Sequence, residues 1–497
     1  MSIVKGEKMA EDSETLCRPR YRLLDQPQIR TLHQATLELL DTVGVRVLHD
    51  EARGMLADAG CRLDPDQRVR IPSALVESAI RTAPSSVTIY DREGREAMRL
   101  EGRRVHYGLG TDLLHTWDMK TGQLRPSCRQ DVIDAAVVAD ALEEIDFIAS
   151  HAFPQDVPGN LAFIAEFRAQ ITHSPKPVYF TAAARQDLKY IIAMAAATAG
   201  GPDRLREYPF LIHYAEPISP LVHSAGAVDK LLCCADAGIP LNYVPALMSG
   251  ATGPVTLAGA IATANAEALS GLVIHQLRCS GAPMVSGFSA TPLDMLKGTT
   301  VYGSPDERLT HSACCDLYHF YELPVWGEAG CSDAKSLDAQ AGYEAAFSLL
   351  LATLDGCNLV HDVGYLGQGL VGSPASIVMG AELISWVKRM VRGFEIGPEQ
   401  IALDVISRVG PGGHFLAQDE TVRRLRQEHW LPQLSDRNHP DAWIEAGAPD
   451  LGRRAVQKAR DLLRTHPVRR LPDEKQQFIE SIYARAAKDL EGVKLGN

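Results

Sequence analysis

Short apolar runs alternate with amphipathic stretches through the middle of the chain. The runs are rich in β-branched and aromatic residues, which is typical of strands buried on both faces. There are eight of them, at residues 104–110, 146–153, 176–183, 209–217, 240–247, 282–289, 323–330 and 357–366. The stretches between and after them place apolar residues three and four positions apart, which predicts helices. Eight strand–helix pairs in a row predict a parallel sheet with crossover helices.

The simplest closure of eight such pairs is a (β/α)8 TIM barrel, here over residues 101–395 of an α/β chain. An open doubly wound sheet is the alternative. It is less favoured because no GxGxxG follows the first strand.

Helical additions flank the predicted barrel. Residues 1–100 form a helical N-terminal region: a polar tail over 1–25, two amphipathic helices within 28–60, a helix in 70–83 and a short β segment at 86–91. Residues 396–497 form a C-terminal helical extension. We expect this extension to wrap the barrel or to extend an oligomer interface, with a homo-oligomer as the expected assembly.

Composition narrows the class of protein. The 497 residues are 45% hydrophobic and 23% charged, as in ordinary globular enzymes. A net charge of −12 argues against nucleic acid and against anionic membrane surfaces. The 10 cysteines show neither CxxC nor zinc-like Cys/His spacing, so we expect free thiols, no metal site and a reducing compartment. We expect no signal peptide, no membrane span and a cytoplasmic location.

The ends of the predicted strands carry many polar and aromatic residues. In a barrel these ends form the active site. The residues are Tyr107, Thr111, Asp112, His151, Tyr179, Thr181, His213, Tyr214, Glu216, Tyr243, Trp326, Glu328, Ser332, Asp333, His361, Asp362 and Tyr365. Strand alternation must send some of them into the core. Four or more aromatic rings at one rim nevertheless fit recognition of a quaternary ammonium.

Other chemistries have weaker support in the sequence. His151, His213, His361 and Asp362 could bind zinc in a barrel hydrolase, but there is no HxH on an early strand and no HExxH. A serine hydrolase is disfavoured because no GxSxG occurs. The glycines at 250–254 open a helix, where they suit either an anion site or a tight turn.

A set of ordered motifs resembles one family. The stretches are EPISPL (216–221), GATGPVTLAGAIATANAEALSG (250–271), SDAKSLDAQAGYE (332–344), HDVGYLGQGLVGS (361–373) and GPGGHFLAQDETVRRLRQEHWLPQLSDR (410–437). Together they are similar to the trimethylamine:corrinoid methyltransferase superfamily, over nearly the whole chain. The resemblance implies a (β/α)8 barrel that moves a methyl group from an amine to the cobalt of a corrinoid protein.

The resemblance also bears on the substrate. It implies a pyrrolysine near the seventh strand end in the founding trimethylamine enzymes, whereas WGEAGCSDAK (326–335) contains only standard residues. The chain therefore resembles the branch that demethylates glycine betaine and other quaternary amines. A different methylamine as substrate, a metal-dependent hydrolase and a non-catalytic betaine-binding protein are the alternatives.

Residue roles follow from strand-end position. We predict catalysis by His361, Asp333 and Glu216. The substrate would contact an aromatic cup of Tyr107, Tyr179, Tyr243, Trp326 and Tyr365, with His151, His213 and Gln340 as donors to its carboxylate. Thr181, Gly364, Gly367 and Gly369 would face the corrinoid. Asp112 would pair with the ammonium or orient these donors, Glu267 and Gln276 would lie on the surface, and His414 would be structural.

The segment NLVHDVGYLGQGLVGS (358–373) predicts local geometry. Strand alternation puts His361 towards the barrel axis and Asp362 towards the flanking helices. Tyr365 follows Gly364 in the loop, where it can close over a ligand. Gly367 and Gly369 leave room for a flat macrocycle.

Overall fold

Eight parallel segments form the centre of the molecule in a computed structural model that describes residues 16–493. We number them β1 (His106–Tyr107), β2 (147–148), β3 (Val178–Phe180), β4 (Leu211–Ala215), β5 (Leu241–Tyr243), β6 (Met284–Val285), β7 (Trp326–Glu328) and β8 (Leu359–His361). Each lies inside one of the eight predicted runs. The second is the exception to regular strand geometry, since it pairs only through isolated bridges.

The pairings of these segments close on themselves. Regular parallel ladders join β3 to β4, β4 to β5 and β5 to β6. Two further ladders join β7 to β8 and β8 to β1. Parallel bridges complete the circle between Gly108 and Phe147, Ile148 and Val178, and Ser286 and Val325. The predicted α/β class is confirmed, and this closed order is the one that the predicted barrel requires. We call it the ring.

A helix follows every ring segment. These are α1 (Arg129–Asp140), α2 (Ala162–His173), α3 (Arg185–Ala199), α4 (Ala225–Ala237), α5 (Leu257–Arg278), α6 (Pro305–Phe320), α7 (Ala339–Asp355) and α8 (Pro374–Arg392). Local sequence sets the boundaries of α7: the Asp338 side chain accepts from the Ala341 N–H at its start, and Gly356 takes a left-handed conformation at its end. Short helices also occur at Gly159–Leu161 and Pro202–Glu207.

Additional strands occupy the loops that follow several ring segments. Two small sheets combine His115–Trp117 with Leu124–Pro126 and Val371–Gly372, and Ala246–Ser249 with Ser289–Asp294 and Thr299–Thr300. The sequence did not reveal them. Because they follow β1, β5, β6 and β8 in the chain, they build up the mouth at the carboxyl ends of the strands.

The N-terminal region packs against the helices and loops that surround the ring. Its helices are Gln26–Glu38, which continues into Leu39–Val43, Asp50–Asp58 and Ser73–Thr82, and its strands are Val45–Val47, Arg62–Leu63, Arg68–Arg70, Ser86–Tyr90 and Glu96–Glu101. The predicted helices and β segment are confirmed. Val45–Val47 pairs with Val222–His223, and all three helices pack against α5. Most of the predicted tail, residues 1–15, lies outside the described residues.

This packing explains the character of α5. Of the described helices it alone is long and apolar enough to span a membrane, yet 83% of its apolar window is buried inside the protein. It is a core helix between the ring and the N-terminal helices. All ten cysteines are free thiols, as predicted.

Residues beyond α8 are helical, as predicted. The helices are Pro398–Ile401, Leu403–Val409, Asp419–Glu428, Pro440–Glu445, Leu451–Thr465 and Asp473–Asp489, and the strand Phe394–Glu395 pairs with Leu16–Cys17. Leu451–Thr465 packs on α8 and α1, and Asp473–Asp489 packs on α3 and α2. The end of the chain therefore wraps the ring.

Candidate active site

Aromatic side chains converge on His361 in the interior of the eight-segment ring. The centroids of Tyr179, Trp326, Tyr214 and Tyr365 lie 4.5, 5.9, 6.1 and 6.2 Å from the centroid of its imidazole. Register explains the convergence: Trp326 and Glu328 on β7 pair with Leu359 and His361 on β8, so both strands present these residues to the same face. We call Tyr179, Tyr214, Trp326, His361 and Tyr365 the aromatic cluster.

Tyr365 closes one side of the aromatic cluster. It lies in the loop past Gly364, as predicted, and its hydroxyl donates to the carbonyl of Thr111. Its ring approaches the backbone of Gly110 so closely that a Cβ at that position would collide with it. A glycine is therefore required at 110, and the loop after β1 and the loop after β8 are fixed against each other.

Not every ring of the aromatic cluster is accessible. Tyr179 and Trp326 are buried, with 0% and 2% of their surface exposed, and the hydroxyl of Tyr179 donates to Asn242 Oδ1 at 2.5 Å. Tyr214 is half-buried, and so is Tyr302 from the loop after β6. A molecule entering through the mouth would therefore contact Tyr214 and Tyr302 first, with Trp326 and Tyr179 behind them.

Two glutamates add acidic groups to the aromatic cluster. Glu216 is exposed at the mouth and accepts from the Tyr214 hydroxyl at 2.9 Å. Glu328 is buried and accepts from Ser289 Oγ at 3.0 Å. Burial and the nearby charge of Asp362 raise the pKa of Glu328 to about 7, and burial also raises the pKa of Glu216. Glu328 can therefore change charge near neutral pH.

Asp362 does not point to the flanking helices as predicted. Its φ is 78°, so strand alternation ends at His361 and the carboxylate turns inwards. Asp362 Oδ1 lies 2.6 Å from His361 Nδ1. The contact has the distance of an ion pair but not the geometry of a hydrogen bond, so the carboxylate acts on the imidazole through its charge. Neither nitrogen of the His361 ring, Nδ1 or Nε2, makes a well-formed hydrogen bond within residues 16–493.

Three neighbouring strand ends share this left-handed backbone. Asp112 after β1 and His151 after β2 have φ values of 63° and 52°, close to that of Asp362 after β8. Such conformations cost about 1–3 kcal/mol for residues other than glycine and concentrate at functional sites. This side of the mouth is therefore strained at three successive segments.

His151 is well placed to meet a ligand. It is 3% exposed, and its ring centroid lies 6.0 Å from that of Tyr365. Neither of its nitrogens makes a well-formed hydrogen bond to any described residue. Burial, followed by the charge of His361, lowers its pKa to about 3, so the imidazole is neutral near pH 7 and can donate one N–H.

Beside His151, Thr181 and Asp112 form a polar wall. Thr181 Oγ1 donates to Asp112 Oδ2 at 2.9 Å, and Ser150 Oγ donates to Asp112 Oδ1 at 3.2 Å. Burial raises the pKa of Asp112, and burial together with Asp112 raises that of Glu166 on α2. Thr181 thus belongs to a hydrogen-bonded wall built around the half-buried carboxyl of Asp112 and the buried carboxyl of Glu166.

Three predicted site residues face away from the ring interior. The Tyr107 hydroxyl hydrogen-bonds with Thr353 on α7, and the Tyr243 hydroxyl with His223. His213 packs against the Phe180 ring and hydrogen-bonds to the Phe180 carbonyl. The predictions for Tyr107, Tyr243 and His213 are wrong, because these residues alternate with inward residues of the same strands.

Two others hold loops. Both oxygens of Asp333 accept backbone N–H groups, from Tyr302 and Gly303, at 3.0 Å each. Gln340 is exposed at the start of α7 and donates to Glu344 at 2.9 Å. The structure therefore gives Asp333 a positioning role for the Tyr302 loop instead of the predicted catalytic one, and it does not bring Gln340 to the aromatic cluster.

The predicted corrinoid-facing glycines serve the backbone. Gly364, Gly367 and Gly369 have φ values of 91°, 56° and 73°. Gly364 and Gly367 are buried, and Gly364 packs against the first turn of α8. Gly369 is half-buried beside the Tyr302 ring. Their conformation accounts for these glycines, and the first two offer no surface to a macrocycle.

Further corrections concern residues outside the ring. Glu267 and Gln276 were expected on the surface but are buried on α5, where Glu267 accepts from Ser219 Oγ and the Leu221 N–H. His414 is exposed. The sequence also showed no metal-like cluster, yet His311, Cys315 and Cys357 meet outside the ring.

The assignment of roles missed Tyr214, Tyr302, Glu328 and Asp362. Tyr214, Glu328 and Asp362 were recognised as strand-end residues. The choice of Tyr214 over His213 needs the register of β3 and β4, which pairs Tyr179 with Ile212. Tyr302 lies in the segment of 10 residues (295–304) between strand Ser289–Asp294 and α6, which gave no sequence signal.

Comparison with known proteins identifies the family. The model of the trimethylamine methyltransferase (MTTB) family matches residues 4–490. The chain belongs to this family. Trimethylamine methyltransferase MttB of Desulfitobacterium hafniense is 33% identical over 459 residues, covering 92% of both chains. The glycine betaine methyltransferase of another D. hafniense strain is 29% identical over 431 residues, 86% of this chain and 89% of that one.

A solved structure supports the fold of this family member. The monomethylamine methyltransferase MtmB of Methanosarcina barkeri superposes with a TM-score of 0.53, covering 96% of this chain and 89% of that chain at 11% identity. At that identity the likeness concerns the fold alone. Membership of the trimethylamine methyltransferase family makes the chain a methyltransferase. It sets aside the metal-hydrolase and non-catalytic binding alternatives.

Proposed function

We propose that this protein transfers a methyl group from a quaternary amine, glycine betaine or a related betaine, to the Co(I) of a corrinoid protein. The observation that carries the proposal is the aromatic cluster with Glu216 and Glu328 beside it, because ring faces and carboxylates together attract an ammonium group. The scaffold in this proposal is a (β/α)8 barrel over residues 101–395, flanked by the N-terminal region 1–100 and the C-terminal extension 396–497.

The sequence supports a quaternary substrate over trimethylamine. Trimethylamine transfer in this family is associated with pyrrolysine, and residues 326–335 are all standard here. A quaternary ammonium already carries its positive charge. When its C–N bond breaks, the electron pair stays on nitrogen and the amine leaves neutral, so no general acid is needed. The protein then has to orient the methyl group and stabilise the charge.

The two ends of a betaine have different partners at the mouth. The ammonium group would lie against Tyr214 and Tyr302, with Trp326 and Tyr179 behind them and Glu216 and Glu328 beside them. The carboxylate would accept from His151 and His361, whose buried ring nitrogens are available as donors. Tyr365, between the two histidines, would set the distance between these ends. The predicted roles of His361, Glu216, His151, Tyr179, Trp326 and Tyr365 are kept in this proposal.

The methyl acceptor would dock over the mouth. Thr181 and Gly369 are the predicted corrinoid-facing residues that retain accessible surface there. Large apolar side chains are exposed between residues 394 and 431, among them Leu403, Leu416 and Val422. A surface of this kind fits the predicted homo-oligomer. We propose a cytoplasmic location, in keeping with the ten free thiols, and no nucleic-acid or membrane partner.

Trimethylamine is the second candidate, because several relatives of that name are 30–33% identical to this chain. A substrate screen with chemically reduced cobalamin separates the two. The loss of Co(I) absorbance is followed with glycine betaine, proline betaine, carnitine, dimethylglycine and trimethylamine. A betaine should react and trimethylamine should not. Faster turnover of trimethylamine than of every betaine would refute the proposal.

A further inference from the structure

A compact group of metal-ligating side chains lies on the outer face of the ring. His311 and Cys315 are one helical turn apart on α6, so their side chains share one face of that helix. Cys357 lies two residues before the start of β8 at Leu359. The His311 ring packs against Gly327 of β7, where a Cβ would collide with it. Trp326 and Glu328, on either side of Gly327, point into the ring instead.

The geometry suits one metal ion. The ligand atoms of His311, Cys315 and Cys357 all lie within 4.8 Å of one another, and all three residues are buried. Tetrahedral zinc needs ligand atoms about 3.3–3.8 Å apart, given bond lengths of about 2.0–2.3 Å. The widest separation would therefore close by about 1 Å, which small side-chain rotations can supply.

Asp355 is the candidate for a fourth ligand, and it would have to move closer, because it does not belong to the group whose ligand atoms lie within 4.8 Å of one another. Asp355 Oδ2 lies 3.7 Å from His311 Nδ1, and Ser312 Oγ donates to the same oxygen at 2.8 Å. Oriented second partners of this kind are typical of metal ligands. Four protein ligands would leave no open position, which is the pattern of a structural site.

The His311 imidazole gives independent support. Its side chain is 4% exposed, yet neither ring nitrogen makes a well-formed hydrogen bond to any residue of the described chain. Buried polar groups nearly always have a partner, and each exception needs a cause. Two thiols and a carboxylate around such a ring are a costly arrangement in a protein core unless something compensates them.

We propose that His311, Cys315, Cys357 and Asp355 bind a structural zinc ion. Thiolate and imidazole ligands favour zinc over magnesium or calcium. The ion would tie α6 to the end of α7 and to the start of β8. Because β7 and β8 carry Trp326, Glu328 and His361, the zinc would hold the aromatic cluster in shape without touching the substrate.

Metal analysis of the whole protein tests this site. Protein purified under reducing conditions and reloaded with Zn²⁺ should contain about one zinc ion per chain after extensive dialysis. Co²⁺ in place of Zn²⁺ should give the intense absorption of thiolate-bound cobalt. Cys315→Ser and Cys357→Ser should lose both signals. Cys314→Ser is the matched control, because Cys314 is equally buried and adjacent but outside the cluster, and should keep both.

The wild-type protein also provides a test that needs no folded variant. Zinc should raise its melting temperature and protect Cys315 and Cys357 from alkylation during partial unfolding more strongly than it protects Cys314. A folded wild-type protein that holds far less than stoichiometric zinc after reloading would overturn the site. So would a Cys315–Cys357 disulfide, found by mass spectrometry, in the reducing preparation.

Discussion

Replacing Glu328 by glutamine tests the electrostatics of the aromatic cluster. Glu328 is 8% exposed, and its carboxylate lies near Asp362, His361 and Arg308. Glutamine preserves the size of the side chain and its bond from Ser289. For an ammonium nitrogen about 6 Å from the carboxylate, Coulomb's law at an effective dielectric constant of about 20 gives about 3 kcal/mol. We therefore expect Glu328→Gln to lower kcat/KM for a betaine by up to about 100-fold where Glu328 is ionised.

The pH profile gives this prediction its specific signature. The pKa of Glu328 is about 7 in the folded protein, so the carboxylate is charged above that pH and neutral below it. The wild-type kcat/KM should rise as pH increases through 7, and the profile of Glu328→Gln should be flatter. The assay is the initial rate of Co(I) loss across this pH range, with a thermal melt to show that the variant is folded.

Glu267→Gln is the matched control. Glu267 is also buried and its pKa is also raised to about 7, by burial, but it lies on α5 outside the ring. This variant should change stability and leave the pH dependence of kcat/KM as in the wild type. The reasoning fails if Glu328→Gln retains the wild-type rate and profile, or if both glutamines change the profile equally.

Further expectations concern residues in the aromatic cluster and around it. His361→Ala should cost on the order of 2–4 kcal/mol in transition-state stabilisation while the melt stays near that of the wild type; normal turnover would remove His361 from the mechanism. Tyr214→Ala should weaken competitive inhibition by tetramethylammonium by about 0.5–2 kcal/mol, whereas Tyr214→Phe should not. Equal inhibition constants for the wild type and both variants would contradict this expectation. His151→Leu should raise KM for betaines without changing tetramethylammonium inhibition, and a parallel rise in both constants would refute the carboxylate role. Tyr243→Phe should cost about 1 kcal/mol of stability through the lost bond to His223, with unchanged kcat/KM; a large loss of activity would return Tyr243 to the site.

Periodicity was sufficient for the outline of the fold. Each of the eight predicted runs holds one ring segment, since buried parallel strands need continuous apolar sequence and the helices around them need one apolar face. The small sheets at the mouth were missed because their strands are only two to six residues long and carry no such repeat.

The sequence correctly placed the site residues at the ends of the strands, but it did not predict which of them point into the ring and which point outwards. Tyr179, Trp326 and His361 point inwards, whereas Tyr107, Tyr243 and His213 lie on other strands of the ring and point outwards. One sequence does not fix the inward parity of each strand. For Asp362 the cause is different, because its left-handed backbone breaks the alternation on which the prediction relied. The zinc ligands were missed because Cys357 lies 42 residues beyond Cys315 and only the closure of the ring brings them together.

Transfer of an isotope-labelled methyl group tests the central claim most directly. The wild-type protein is mixed with glycine betaine labelled in its N-methyl groups and with reduced cobalamin, and both products are quantified by mass spectrometry. The account predicts labelled methylcobalamin and dimethylglycine in equal amounts, at a rate that trimethylamine does not approach. If the label stays in glycine betaine and the other betaines also fail, while trimethylamine methylates cobalamin, the proposed function is contradicted.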